Sequence, residues 1–149
     1  MKLRQATSAD VAALMELSAQ FYAHFAYPFD AAQHRALLEH FLAHEHLGSI
    51  WLIQTAEKPV GYLALTYGFT FEFGGRDAFV DEFFIGESHR NLGFGHLALQ
   101  EIQQKMEALG LKALHLQTES YNERAKKMYE SLGFQDFKRA TLSYRAADG

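Results

Sequence analysis

The chain has no cysteine among its 149 residues, and this absence removes several kinds of chemistry. Disulfide bonds and thiolate metal sites both need cysteine side chains. Enzymes that hold an acyl group as a thioester on the protein need a cysteine nucleophile. The protein therefore has no disulfide, no thiolate-bound metal and no acyl-cysteine intermediate.

Long apolar segments and basic clusters are also missing. The sequence has no N-terminal apolar run of signal length and no uninterrupted apolar segment of about 18 residues. Its 14 lysines and arginines stand against 18 aspartates and glutamates, a net charge of −4, and no basic run is present that would follow a nucleic-acid backbone. We therefore expect a cytoplasmic protein that binds neither membranes nor nucleic acids.

The length and composition predict one domain. A chain of 149 residues, 48% of them hydrophobic, can bury roughly 70% of its unfolded surface around a single core. It contains no repeat, linker or low-complexity segment. We expect residues 1–149 to form a single domain.

The N-terminal part predicts a short edge strand followed by two helices. Residues 3–6 form the strand, and Thr7 to Asp10 form a capping box that starts the first helix. Pro28 interrupts the helical pattern, and Asp30 caps the second helix. Apolar and small residues repeat at helical spacing on the first helix (Val11, Leu14, Met15, Ser18, Phe21, Tyr22) and on the second (Leu37, Leu38, Phe41, Leu42).

From Gly48 onward the pattern predicts a sheet with two further helices. Three strands, at residues 50–53, 60–71 and 77–85, form an antiparallel meander. A helix at residues 97–109 faces inward through Leu99, Ile102, Met106 and Leu109 and leads to a strand at residues 112–118 that pairs parallel to the third. A helix at residues 122–132, strands at 134–138 and 140–144 and a frayed tail at 146–149 complete the chain.

The loop after the third meander strand has the properties of a pyrophosphate site. Gly93 and Gly95 allow a tight turn and close approach of a ligand to the backbone, and Arg90 adds a cation. The helix that follows presents N–H groups without intrahelical acceptors, which attract phosphate. A plain strand-to-helix turn, whose glycines serve only geometry, is the alternative.

Spacing distinguishes three kinds of phosphate loop. A dinucleotide fingerprint needs glycine three residues after Gly95, where the chain has Ala98, and a nucleotide P-loop needs a lysine after the glycine. The remaining pattern is Arg-x-x-Gly-x-Gly, from Arg90 to Gly95. Together with Asn-x-x-Ala-x-x-x-Tyr-x-x-x-Gly-Phe, from Asn122 to Phe134, it resembles the GNAT acetyltransferases. The similarity covers roughly the C-terminal half, residues 62–144.

This resemblance implies an α+β GNAT fold, a mixed, mostly antiparallel twisted sheet with helices on both faces. It also implies acetyl-CoA as co-substrate and an acceptor pocket shaped by the two N-terminal helices. Without cysteine, the acceptor would attack the thioester directly in a ternary complex. The residues expected to bind CoA are Phe83, Phe84, Ile85, Arg90, Asn91, Leu92, Gly93, Phe94, Gly95, His96, Asn122 and Ala125.

Three residues are candidates for the chemistry of acetyl transfer. A lysine-like amine has a pKa of about 10.4, so a base must remove a proton before attack. Asp81 and Glu82 interrupt an apolar strand, where ionised groups are costly, and alternation would send them to opposite faces. By resemblance either is the base; we prefer Glu82, and a structural salt bridge is the alternative for each. Resemblance also places Tyr129 at the CoA sulfur, Asn122 at CoA or at the helix cap, and an oxyanion donor near Phe83 or Phe84.

Five histidines in the N-terminal region invite a metal hypothesis. His40 and His44 share a helix face. Zinc sites need three or four convergent ligands, and no acidic residue lies at the helical offset that would complete one. We therefore predict no metal site.

The sequence predicts an N-acetyltransferase that moves an acetyl group from acetyl-CoA to a small cationic amine. The 82–85 strand and the Arg-x-x-Gly-Phe-Gly loop look most like the spermidine/spermine branch, and Glu72, Asp77, Asp81 and Glu82 would attract a dication. A protein or peptide acceptor and a non-catalytic acyl-CoA-binding module are the alternatives. A homodimer is compatible with the sequence, which does not fix the oligomeric state.

Overall fold

A five-stranded sheet organises the first of two units. The computed structural model describes residues 1–147, and they divide into Met1–Gln117 and a second unit that begins at Thr118. The strands lie in chain order, antiparallel from β1 to β4, with β5 parallel to β4. They are β1 (Lys2–Gln5), β2 (Gly48–Gln54), β3 (Pro59–Thr70), β4 (Gly75–Ile85) and β5 (Ala113–His115). The predicted mixed, mostly antiparallel sheet is confirmed.

Three helices accompany this sheet. They are α1 (Val11–His24), α2 (Ala31–Ala43) and α3 (Phe94–Leu109). Asp30 caps α2 by accepting a hydrogen bond from the Gln33 N–H, as expected. Gly110 ends α3 in the left-handed conformation that glycine adopts readily, also as expected.

One face of the sheet is covered by α1 and α2. The buried cluster on this face combines side chains from both helices with every second residue of β2 and β3. Its members are Ala6, Leu14, Leu17, Phe21, Leu38, Ile50, Leu52, Tyr62, Ala64 and Phe84. Each large apolar side chain buried here stabilises the fold by about 1.5–3 kcal/mol.

The opposite face is covered by α3. Trp51 and Leu63 are buried and alternate along their strands with Leu52 and Tyr62, so they point to the other side. The Lys105 ammonium of α3 lies 5.3 Å from the centre of the Trp51 ring. The buried residues of α3 are Ala98, Leu99 and Ile102. Helices on both faces of the sheet are therefore confirmed.

The buried core differs in two places from the core that the helical spacing of apolar residues predicted. Leu37 was expected in the buried stripe of α2, but its side chain is 58% exposed. Only Leu38 of that stripe is fully buried, while Phe41 and Leu42 pack at the edge of the cluster. A helix at the rim of a sheet buries a narrower stripe than its apolar pattern suggests. Leu17, which was not expected, completes the buried face of α1.

The second unit contains one helix, α4 (Glu123–Ser131). Asn122 caps it by accepting a hydrogen bond from the Ala125 N–H at 3.1 Å, and Gly133 follows with φ +94°. The strands predicted at 134–138 and 140–144 are wrong: the described structure assigns none there. Asp136 accepts a hydrogen bond from the Lys138 N–H, and Lys138 has φ +60°, so a turn replaces extended backbone. Two residues of the predicted tail, 148–149, lie outside the described residues.

Within residues 1–147, no helix has the length and apolar character that crossing a membrane requires.

A short polar network holds the 3₁₀ turn at Ser8–Asp10, which leads directly into α1. Thr7 and Asp10 form the predicted capping box, in which the Asp10 carboxylate accepts from the Thr7 N–H at 2.8 Å. The same carboxylate accepts two hydrogen bonds from the Arg4 guanidinium, at 2.9 and 3.0 Å. The network therefore ties β1 to the N-terminus of the helix.

We predict that Asp10→Asn lowers the free energy of unfolding by about 1 kcal/mol at neutral pH, because it weakens a cap and removes a charge-assisted pair. The hydrogen bonds from Arg4 hold the pKa of Asp10 below its usual value. A carboxyl group with a lowered pKa contributes stability above the pKa of the unfolded chain and loses it as the pH falls. Urea denaturation at pH 7 and at the lowest pH where both proteins stay folded should show the difference shrink. Glu16→Gln, on the exposed side of α1, is the control. An equal loss at both pH values would contradict this role.

Candidate active site

A β-bulge in β4 places the acidic residues. Ala64 of β3 lies opposite Glu82, but the next residue, Leu65, lies opposite Val80, so Asp81 is an extra residue without a partner in the register. Phe79 lies opposite Thr66, two residues from Ala64, so Phe79 and Glu82 share a face although they are three residues apart. The bulge therefore turns Glu82 toward the face covered by α1.

Glu82 is held by two tyrosine hydroxyls from different elements. Tyr22 of α1 donates to Oε2 at 2.7 Å, and Tyr62 of β3 donates to Oε1 at 2.8 Å. Burial, together with the negative charge of Glu82, raises the pKa of both phenols far above the usual value. Both phenols remain protonated at neutral pH, so each carboxylate oxygen has a permanent donor and a fixed position.

Asp81 has a different environment. Desolvation, followed by the negative charge of Glu82, raises the pKa of its carboxyl group above the ordinary value. A carboxylate with a raised pKa is a stronger base than an ordinary one. The two neighbouring carboxylates are therefore chemically unlike: Glu82 is fixed by two donors, and Asp81 binds a proton more readily than an ordinary aspartate.

Asp77 is already engaged. Its side chain is buried, and the Asp77 Oδ2 and His115 Nε2 atoms are 3.0 Å apart. The His115 ring packs against the rings of Phe73 and Phe79, at 5.3 and 4.9 Å. This carboxylate is therefore unavailable as part of the acidic wall that the sequence predicted.

The predicted pyrophosphate loop joins β4 to α3. Asn91 and Gly93 both have positive φ, +62° and +81°, so the backbone turns sharply before the helix. Gly93 is the N-cap and supplies no side-chain acceptor. The N–H groups of Phe94, Gly95 and His96 therefore lack intrahelical acceptors and form the first turn of a 16-residue helix. This arrangement suits an anion such as pyrophosphate.

Arg90 fastens the start of the loop to the end of β4. Its Nε donates to the carbonyl oxygen of Ile85 at 2.8 Å, and the guanidinium carbon lies 5.4 Å from the centre of the Phe84 ring. The predicted cation is therefore fixed in place. Because Arg90 occupies the Ile85 carbonyl, the N–H of Ile85 is the better candidate for a CoA contact.

The other residues predicted to bind CoA differ in how much of their side chains is exposed. Phe84 is a core residue, 5% exposed and packed against Phe21, so only its backbone can face a ligand. Phe83 is half-buried, and Leu92 is exposed. The bulge beside these residues is the kind of irregularity that frees a strand N–H from its ladder.

In the second unit, the motif residues have clear local roles. Asn122 and Ala125 form the N-cap hydrogen bond of α4, which is one of the two roles predicted for Asn122. Tyr129 is half-buried, and its ring packs edge-on against Phe134 at 6.1 Å. Burial raises the pKa of Tyr129, so its hydroxyl stays protonated at neutral pH.

Two of the histidines that raised the metal hypothesis are in contact near the C-terminal end of α2. His40 and His44 rings lie 4.3 Å apart, and His44 Nδ1 lies 2.7 Å from the His40 carbonyl oxygen. In the part of the chain that the structure describes, no group of three or more histidines and carboxylates could hold a metal ion.

Sequence reasoning missed the tyrosine partners of Glu82. Tyr22 was assigned to the buried face of α1 and Tyr62 to a strand, without partners for their hydroxyls. The signal was available in principle, because a buried tyrosine hydroxyl usually finds a hydrogen-bond partner. Which acceptor it finds depends on how distant segments pack.

Comparisons with known proteins identify the family to which the chain belongs. A family model described as "Acetyltransferase (GNAT) family" matches residues 11–134. The chain is 32% identical over 94 residues to the uncharacterized N-acetyltransferase YycN of Bacillus subtilis (strain 168), a match that covers 62% of this chain. It spans 57% of YycN, little more than half the length of that relative.

Solved structures share the whole fold. The integron cassette protein HFX_CASS3, from the mobile metagenome of Cole Harbour Salt Marsh, has a TM-score of 0.87 and 33% identity, covering 99% of this chain and 91% of its own. AAC(6')-Iy, solved in complex with the bisubstrate analog CoA-S-monomethyl-acetylneamine, has a TM-score of 0.82 at 17% identity and covers 98% of both chains, a likeness of fold alone. Since the family model covers well over half of the sequence, the chain belongs to the GNAT family of acetyltransferases.

Proposed function

We propose that the protein is an acetyl-CoA-dependent N-acetyltransferase that acts on the primary amine of a small cationic molecule. The observation that carries the proposal is the fixed Glu82 carboxylate on the strand that leads directly into the α3 loop. An anionic group for an ammonium and an N-terminal helix turn for a phosphate thus lie on consecutive segments.

On the donor side, the N–H groups of Phe94, Gly95 and His96 would bind the CoA pyrophosphate, and Arg90 would hold the loop in shape. AAC(6')-Iy, a protein of the same fold, was solved with a bisubstrate analog that contains CoA. The backbone of residues 83–85 would contact the pantetheine arm and the thioester oxygen. The loop suits pyrophosphate because its N–H groups can donate to an anion and its glycines permit close approach of the anion to the backbone.

The transfer step needs two proton movements. A carboxylate takes one proton from the acceptor ammonium, and the free amine attacks the thioester carbon, so a C–N bond forms. The C–S bond then breaks, and the CoA sulfur leaves as a thiolate that takes a proton from Tyr129. The second proton of the attacking nitrogen restores the Tyr129 hydroxyl.

We assign the base to Glu82, with Asp81 as the alternative. Glu82 faces α1, and its two tyrosine donors fix its position. Asp81 lies at the bulge, and its raised pKa makes it the stronger base. Substitution of each residue in turn distinguishes the two assignments, because loss of the base should slow the chemical step more than loss of the other carboxylate.

The acceptor is a small amine, of the type that spermidine/spermine acetyltransferases use. The supporting features are the motif resemblance and an anionic carboxylate held in place by the hydroxyl groups of Tyr22 and Tyr62. Asp77 is not counted among these features, because it is buried and bonded to His115. The single domain, the cytoplasmic location and the homodimer remain predictions.

We predict that CoA release from acetyl-CoA accelerates when members of a panel of small amines are added, and that Glu82→Gln lowers kcat by about 100-fold or more. Asp81→Asn should reduce kcat less if Glu82 is the base, and the reverse ranking would assign the base to Asp81. The measurement is thiol release at saturating acetyl-CoA. CoA binding without turnover of any amine or peptide would indicate the non-catalytic module, and turnover of peptides alone a protein acceptor.

We predict that Gly95→Val abolishes most of the thermal stabilisation by CoA, because a β-branched side chain would block the approach of the pyrophosphate to the backbone. The melting temperature with and without CoA measures the effect. Gln104→Val, on the exposed side of the same helix, controls for the helix propensity of valine. Normal CoA affinity of Gly95→Val in calorimetry would locate the pyrophosphate site elsewhere.

We predict that Tyr129→Phe lowers kcat by roughly 10- to 1,000-fold with little change in acetyl-CoA affinity, because it removes only the hydroxyl that protonates the thiolate. The ring contact with Phe134 is preserved. Single-turnover kinetics with the best amine of the panel measures the chemical step. An unchanged rate would make Tyr129 a packing residue of α4.

A further inference from the structure

His34 has an unsatisfied polar atom next to the proposed active site. It lies in the first turn of α2, where its backbone N–H donates to the Asp30 carbonyl. Its Nε2 is buried and has no hydrogen-bond partner; among the described residues it is the one buried side-chain nitrogen or oxygen in this condition. Burying a polar atom without a partner destabilises the fold, so such atoms call for an explanation.

The surroundings of His34 are aromatic and lead directly to Glu82. The His34 ring packs against the rings of Tyr22, at 5.2 Å, and Phe29, at 5.1 Å. The hydroxyl of the same Tyr22 donates to Glu82. Burial lowers the pKa of His34, although the charge of Glu82 opposes this, so the imidazole is neutral at neutral pH. One tyrosine thus connects a fixed anion with a neutral polar atom.

We propose that His34 Nε2 is a specificity-determining contact of the acceptor site, which binds a hydroxyl group of an amino alcohol whose ammonium lies at Glu82. The inference rests on the proposed function and narrows its substrate class. The acceptor would have one cationic end and one neutral hydrogen-bonding group, separated by a short carbon chain.

The chemistry of the imidazole selects a hydroxyl over a second charge. Nε2 is either a donor or an acceptor, depending on the tautomer, and a hydroxyl can satisfy both. An ammonium satisfies only the acceptor form and would have to leave water for an enclosure formed by the rings of Tyr22 and Phe29. A carboxylate would be repelled by Glu82.

Access to His34 requires movement of the segment between α1 and α2. The enclosing rings keep Nε2 away from solvent, and one of them, Phe29, belongs to this connection. Ala26, in the same connection, has φ +55°, a left-handed conformation that is unfavourable for a non-glycine residue. Strained connections of this kind open more easily than the elements that they join.

The test compares acceptors that differ only in the hydroxyl group. Amino alcohols with two to five carbons are paired with alkylamines of the same chain length, and kcat/KM is measured for wild type, His34→Phe, His34→Gln and His40→Phe. His34→Phe keeps the ring and removes both nitrogens, while His34→Gln places an amide near the position of Nε2. His40→Phe changes an exposed histidine of the same helix and is the matched control.

We expect wild type to prefer the amino alcohol by about tenfold at one chain length, because a site built for a hydroxyl leaves its polar group unpaired with the alkylamine. His34→Phe should abolish that preference without changing the KM for acetyl-CoA, and His34→Gln should retain part of it. His40→Phe should behave like wild type. A buried histidine of purely structural importance would leave the ratio between paired acceptors unchanged in every variant.

Two results would overturn the inference. They are a wild-type enzyme that acetylates alkylamines and amino alcohols equally at all four lengths, and a preference that survives in folded His34→Phe. If His34→Phe does not fold, the inference is judged from the ratio of kcat/KM between paired amino alcohols and alkylamines in wild type and in His34→Gln. Failure of the proposed function looks different, since wild type would then acetylate no amine, and the inference would fall with it.

Discussion

The packing of α1 on the sheet and the proposed chemistry depend on one half-buried carboxylate that has two fixed donors. Glu82 would be costly in a half-buried position next to aromatic rings if it had no partners. Tyr22 and Tyr62 supply one hydrogen bond to each of its oxygens and connect α1, β3 and β4 through one side chain. The same contacts therefore stabilise the packing of α1 on the sheet and fix the anion that the proposed chemistry needs.

The bulge in β4 makes this arrangement possible. In a regular strand, Phe79 and Glu82 would point to opposite faces, because side chains alternate. The extra residue, Asp81, restores Glu82 to the α1 face and is itself left in an environment that raises its pKa. The two carboxylates thus acquire different environments from one local irregularity, and differing environments give neighbouring carboxylates different roles in active sites.

Two local costs lie in the chain segment that runs from the end of α1 into α2. His34 Nε2 has no partner, and Ala26 has a left-handed backbone. Neither feature helps the domain to fold, and the His34 ring packs against Tyr22, which binds Glu82. Such local costs are tolerated at functional sites because binding or chemistry depends on them.

The sequence by itself determined the helices, the capping residues, the order of most strands and the glycine-containing loop before α3. These depend on short-range physics: helical spacing, the N-caps Thr7, Asp30 and Asn122, and glycines where φ is positive. Only the tertiary structure decided which tyrosines bind Glu82, since they lie 60 and 20 residues away from it in the chain. It also decided that Asp77 pairs with His115 and that His34 Nε2 has no partner. Residues 134–147 form no strand, which again only the structure revealed. A side chain's partner is set by the packing of distant segments and by the register of the sheet, and one bulged residue changes that register without leaving a periodic signal in the chain.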